Sequence, residues 1–176
     1  MRELADSERI ARFLTALGRS ADVDSACYLT GGATAVLYGW RVTTIDVDIR
    51  LVPESEALLR AIPGLKDELR INVELASPAD FIPVSEGWED RGVFVSREGL
   101  LAVYHFDLVA QALAKLERAH AQDLEDVAEL LERGLVDRTE ALAHFERIEP
   151  DLYRFPAIDP PAFRARVEAT FAAQPR

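Results

Sequence analysis

The 176-residue chain is predicted to fold as an α/β or α+β sheet domain whose later helices pack as a cap. Three observations predict this. Short apolar or alternating runs suited to strands interleave with amphipathic helical segments over residues 7–105. From residue 107 onward the pattern is mostly helical. A mass of 19.6 kDa with 49% hydrophobic and 29% charged residues suits one globular domain with a real core, and excludes a disordered chain. The reading is therefore one domain over 1–176, with a sheet core over about 20–105 and a helical part over 106–176.

The elements follow in order. Ile10, Phe13, Leu14 and Leu17 recur at i, i+3, i+4, i+7, with Asp6 or Ser7 as N-cap and Gly18 past the last turn, which predicts a helix. Ala26 to Leu29 reads as a short buried strand, and Gly31-Gly32 turns it into a second helix through about Tyr38. Ile45 to Val52 alternates apolar with charged, so a strand should carry Asp46, Asp48 and Arg50 on one face until Pro53 ends it. A helix is expected from about Glu54 to Ile62, closed by Pro63-Gly64, then a strand over Ile71–Leu75 with Asn72 and Glu74 on one face. Pro78 to Arg91 reads as loop. Gly92–Ser96 and Leu100–His105 read as a hairpin. A helix from about Asp107 to Arg118 is followed by one with Leu124, Val127, Ala128 and Leu131 on a stripe and a stop at Gly134. The last segments are a helix near Thr139–Glu146, a strap containing Pro150, Pro156, Pro160 and Pro161, and a helix over about Ala162–Ala172.

Composition narrows the function classes. The net charge of −11 argues against a broad basic face that grips nucleic acid through its phosphates. The longest uncharged run, Ser25 to Trp40, contains Gly31 and Gly32 and is too short to cross a bilayer. The first twenty residues lack the apolar segment of a secretory signal, and the one cysteine, Cys27, makes no internal disulfide, so a cytoplasmic protein without a membrane partner is expected. Only Lys66 and Lys115 are lysines, the other basic residues being arginines.

The chemistry concentrates between residues 28 and 52. Two carboxylates at i and i+2 of one strand point the same way, with Cα atoms roughly 6.6 Å apart. They repel unless a cation intervenes, and hard divalent magnesium, or manganese in its place, meets that need. Such a pair can hold two ions about 4 Å apart, as phosphoryl transfer uses them. Glu74 is the best candidate for a third carboxylate, with a solvent-facing surface role as its equal alternative. Gly31 and Gly32 open a helix whose N-terminal amides and dipole favour a phosphate; ordinary turn chemistry is the alternative. Lys115 and Arg118, at i and i+3, form a cationic pair suited to phosphate oxygens or to a nearby carboxylate. Asp123 can cap the next helix, act in catalysis, or both. His105, His120 and His144 lack metal-ligand spacing, Cys27 reads as core, and Trp40 and Trp88 as packing residues that could also stack on a base.

Tyr28-Leu29-Thr30-Gly31-Gly32-Ala33-Thr34-Ala35, followed by Arg41-Val42-Thr43-Thr44-Ile45-Asp46-Val47-Asp48, resembles the nucleotidyltransferase superfamily of the polymerase-beta type. Lys115 and Arg118 followed by Asp123-x-x-Asp126 are similar to a second signature of its AbiEii/MenT-like toxin branch. The likeness spans roughly residues 10–135. It implies a mixed-sheet nucleotidyltransferase-like core with a C-terminal helical cap, Gly31 and Gly32 on nucleotide phosphates, and magnesium on Asp46 and Asp48. It also implies Lys115 on the triphosphate and Asp123 as base or acceptor-positioning group. Many superfamily members carry Ser after the first Gly; here Gly32 stands there and Thr34 is the hydroxyl that could substitute.

The expected activity is magnesium-dependent transfer of a nucleoside monophosphate from an NTP to an RNA (tRNA) or protein hydroxyl. By resemblance, the chain would be the toxin of a toxin–antitoxin or phage-defence pair with an antitoxin partner. The alternative is a catalytically silent nucleotide- or partner-binding module of the same fold.

Overall fold

The computed structural model describes residues 3–172, which form an α+β fold with a five-stranded mixed sheet and, among the described residues, seven α-helices. The chain divides into two compact units. One holds the chain up to Ser77 together with Gly92–Phe106; the other holds Pro78–Arg91 and the chain from Asp107 onward.

All five strands lie in the first unit, in the order β3 (Asn72–Leu75), β2 (Asp46–Val52), β1 (Ser25–Thr30), β5 (Leu101–His105), β4 (Val93–Glu98). β1 is central, antiparallel to β2 and parallel to β5; β2 and β3 are parallel, and β4 and β5 form the hairpin. Alternation decides the faces. Cys27 and Leu29 of β1, Val47, Ile49 and Leu51 of β2, Val73 of β3 and Val103 of β5 enter one core with Ile10, Phe13, Leu14 and Leu17 of α1 (Ser7–Gly18). α1 is capped by Asp6, which accepts from the Arg9 amide at 2.8 Å. The other face carries Asp46, Asp48 and Arg50, beside an aromatic row in which Tyr28 stacks on Tyr104 at 5.4 Å and Phe94 meets Tyr104 edge-on at 5.7 Å.

Helix α3 (Glu56–Glu68) departs from expectation by running through Pro63-Gly64 rather than stopping there. A proline removes one amide bond of the ladder. Here Leu65 and Leu69 beyond it pack against the core together with Leu58 and Ile62, and that burial outweighs the loss.

The second unit is helical. It contains two short 3₁₀ turns over Pro78–Asp80 and Glu89–Arg91 in the predicted loop, then α4 (Leu108–Arg118), α5 (Ala121–Glu132), α6 (Arg138–Ile148), a 3₁₀ segment over Glu149–Arg154, and α7 (Pro160–Phe171). Asp107 caps α4 by accepting from the Val109 and Ala110 amides. α7 begins two residues early because Pro160 and Pro161 occupy its first turn, where a missing N–H costs nothing. Arg166 of α7 donates to the Leu116 and Glu117 carbonyls at 2.7 and 2.8 Å, closing the C-terminal end of α4. The buried face of α5 is Asp123, Asp126, Val127 and Leu130, so the expected stripe is rotated and Leu124 stands exposed. The reason is ionic: two aspartates turn inward to meet a buried lysine.

Candidate functional site

In β2 the buried Val47, Ile49 and Leu51 leave Asp46, Asp48 and Arg50 half-buried on the opposite face. Antiparallel pairing sets Thr30 opposite Asp48. β1 then passes directly into α2 (Gly31–Tyr38). Gly31 has φ +60°, a conformation that strains any other residue, and a β-carbon there would lie 3.0 Å from Asp48 Oδ2. The Asp48 carboxylate thus faces the glycine turn. Thr30, at the N-cap of α2, makes no side-chain capping bond. A helix start beside this turn presents amides and positive dipole to an anion.

Gly32 is required by packing. A β-carbon there would stand 2.0 Å from Thr44 Oγ1 and 2.7 Å from Thr44 Cβ. Thr44 cannot retreat easily, because its backbone exchanges two hydrogen bonds with Ala5 and its hydroxyl donates to the Asp46 carbonyl at 3.0 Å. The serine that many superfamily members place here would meet Thr44. Thr34 does not replace it at the surface: it is buried, its hydroxyl donating to the Leu29 carbonyl at 3.3 Å and lying 3.0 Å from His105 Nδ1. Its position inside α2, one turn from β1, aims the side chain at the sheet.

Glu74 lies opposite Asp48 in the parallel pairing of β2 and β3, and Asn72 lies opposite Asp46. All four side chains share one face. The Asn72 amide donates to Asp46 Oδ1 in a short hydrogen bond and to Glu74 Oε1 at 3.3 Å. Among the described residues no three histidine, cysteine, aspartate or glutamate side chains gather into a ready metal site. The pair Asp46 and Asp48 still suits magnesium, which is ordinarily held by one or two carboxylates with the substrate's phosphates and water completing its shell. Asn72 is the residue that sequence reasoning left without a role. Its parity with Glu74 was visible, but its partner depends on strand register, which no local pattern reveals.

In the second unit, Lys115 is buried. Its Nζ lies 2.5 Å from Asp126 Oδ2 and 3.5 Å from Asp123 Oδ1. Arg118 grips Asp123 with Nε at 2.7 Å and Nη2 at 2.6 Å, and the His120 amide donates to the same carboxylate at 3.3 Å. Burial pushes the Asp123 carboxyl up, but Arg118 and Lys115 outweigh it and hold it below the usual carboxylate range. Lys115 and Arg118 therefore meet carboxylates, and Asp123 serves the start of α5 as well as the ion cluster.

His105, Trp40 and Cys27 are packing residues. His105 is buried and stacked on Tyr38 at 4.6 Å, and burial lowers its pKa to about 4. Trp40 stacks on Tyr38 at 5.7 Å. Cys27 is fully buried in the core, its thiol pushed up to about 12 by desolvation. No helix among the described residues is long and apolar enough to cross a membrane.

A mixed five-stranded sheet, with a strand-to-helix glycine turn facing an aspartate of the next strand, is compatible with a nucleotidyltransferase-like core. Residues 8–147 match the model of a family described as "Nucleotidyltransferase of unknown function (DUF6036)", and the chain belongs to that family. Comparison with curated proteins and with solved structures gives no match.

Proposed function

We propose that the protein transfers a nucleoside monophosphate from an NTP to a hydroxyl of an RNA, with tRNA foremost, or of a protein. The observation that carries this reading is the approach of the Asp48 carboxylate to the Gly31 turn, with Asp46 on the same strand face. In this reading the amides at the start of α2 receive the triphosphate and Gly31 lets it come close. Asp46 and Asp48 hold magnesium, or manganese, and Glu74, which lies opposite Asp48 on β3 without being gathered with the pair into a ready metal site, is the third carboxylate of the proposal. The ion, when bound, lowers the pKa of the attacking hydroxyl and neutralises charge on the departing pyrophosphate. The acceptor oxygen bonds to the α-phosphorus as the bond to the bridging oxygen breaks. Lys115, Arg118 and Asp123 act as a positioning cluster that orders the α4–α5 pair. Membership of the AbiEii/MenT-like toxin branch, with an antitoxin partner, belongs to the same proposal.

A silent binding module is the competing reading. It is favoured by the Asn72 amide seated on Asp46 and by the inward turn of Thr34. Incubating the purified protein with magnesium, each labelled NTP in turn, and total tRNA or total protein separates the two. Transfer of label, reduced at least about 100-fold in Asp46→Ala, is expected, in line with the loss of a group that stabilises transition-state charge. Nucleotide binding without transfer by the unaltered chain would leave the module. Growth arrest on expression, relieved by a neighbouring gene, tests the toxin role; harmless expression removes it.

A further inference from the structure

The second unit carries a pocket of about 850 Å³ that nucleotidyl transfer at the glycine turn does not use. A hydrogen-bond chain runs along one wall. Asp107 Oδ2 accepts from Arg91 Nε at 2.7 Å, Arg91 Nη2 donates to Ser85 Oγ at 3.0 Å, and Ser85 Oγ lies 2.6 Å from His144 Nε2. A guanidinium can only donate, so Ser85 accepts from Arg91, and its hydroxyl shares a second hydrogen bond with His144 Nε2. Burial is the main force lowering the His144 pKa, Asp107 opposing it and Arg91 adding to it, which favours the neutral ring. His144 is 4% exposed, and its Nδ1 is a buried atom with no hydrogen-bond partner. Native proteins rarely leave a buried polar atom unpaired, because it loses water and gains nothing.

Arg147 of α6 and Arg154 stand exposed on the same pocket, and neither guanidinium has a hydrogen-bond or ion-pair partner among the described residues. This sets them apart from Arg91, Arg97 and Arg118, each matched to an aspartate. Ile82, Ile148 and Phe155 give apolar and aromatic wall, while Glu86, Glu140 and Asp151 add carboxylates. A bare inorganic anion would meet three carboxylates as well as the arginines. A ligand with phosphate at one end and an amino-bearing ring at the other uses both signs. Guanidinium forks match phosphate oxygens, a flat ring covers Phe155, and carboxylates accept from ring amines. The cavity falls in the size range of small-molecule sites.

We propose that this pocket binds a nucleoside monophosphate unit, as a free nucleotide or as the terminal residue of an RNA strand. Arg147 and Arg154 hold the phosphate, Phe155 lies against the base, and the carboxylates of Glu86, Glu140 and Asp151 accept from the ring amines. The proposal stands on the second unit's own geometry and survives if the chain proves catalytically silent.

The test is calorimetric titration of the full chain carrying Asp46→Ala and Asp48→Ala, without magnesium. The four nucleoside 5′-monophosphates, inorganic phosphate and a single-stranded oligoribonucleotide are the probes. At least one monophosphate is expected to bind, and Arg147→Gln with Arg154→Gln should weaken it at least tenfold while leaving the thermal unfolding midpoint unchanged. An oligonucleotide bound tenfold more tightly than its monophosphate marks a strand end; one bound no more tightly marks a free nucleotide. The proposal is overturned if no monophosphate binds at millimolar concentration, if the arginine variant binds equally well, or if inorganic phosphate binds as tightly as the nucleotides.

Discussion

Two pairs of aspartates receive opposite treatment in this molecule. Asp46 and Asp48 sit half-buried on a strand face, and the partner Asn72 brings to Asp46 is a neutral amide. Asp123 and Asp126 are buried on a helix face and meet Lys115 and Arg118. Under the proposed function, the contrast separates carboxylates placed for a ligand from carboxylates placed for the fold. The Asn72 amide carries no charge and leaves that of Asp46 in place, whereas the cations of the second unit cancel most of the charge of Asp123 and Asp126. Short acidic spacing is common to both, so neighbours, and not spacing, decide the role.

The largest expected effect follows from that difference. Lys115→Met leaves two aspartates buried without their ammonium, which should cost about 3–5 kcal/mol, read as a lowered urea midpoint. Asp46→Asn, on the half-buried face, should change stability by less than about 1 kcal/mol. Equal losses in the two variants would erase the distinction.

Acid sharpens the same comparison. His105 has its folded pKa depressed to about 4, from an ordinary 6.5. Its neutral form therefore stabilises the fold fully above pH 6.5, and that contribution drains away as pH falls toward 4. At about 1.4 kcal/mol per unit this amounts to at most about 3.5 kcal/mol. Asp123 is held below the carboxylate range, so its contribution persists until the pH falls through that lower value. Urea unfolding at pH 7, 6 and 5 should show a downward slope that His105→Gln flattens; an unaltered slope would remove His105 as the cause.

Packing supplies the last test, at Gly32. Gly32→Ala forces a β-carbon against Thr44 and should cost about 1–3 kcal/mol by overpacking, most of it recovered when Thr44→Gly is added. If Thr44→Gly recovers nothing, another contact demands the glycine.

What could be read from the sequence was local. The alternation of β2 placed Asp46 and Asp48 on one face, the apolar spacing of α1 marked its core side, and Asp6 and Asp107 signalled helix starts. Features fixed by distant partners were illegible. Pro63-Gly64 reads as a stop until Leu65 and Leu69 are known to reach the core. The stripe of α5 looks apolar until Lys115 draws Asp123 and Asp126 inward. Gly32 reads as a phosphate turn, and only the pairing of Ala5 with Thr44 shows why a bare backbone is needed there. The wall formed by Ser85, Arg91 and His144 joins residues nearly sixty positions apart, beyond the reach of any periodicity.

The junction of Thr30 with Gly31 has a mechanical corollary. With no residue between the central strand and the helix it launches, there is no joint at which the helix end can swing independently of the sheet. Under the proposed function, discrimination among ligands at that end therefore falls to the side chains bordering it.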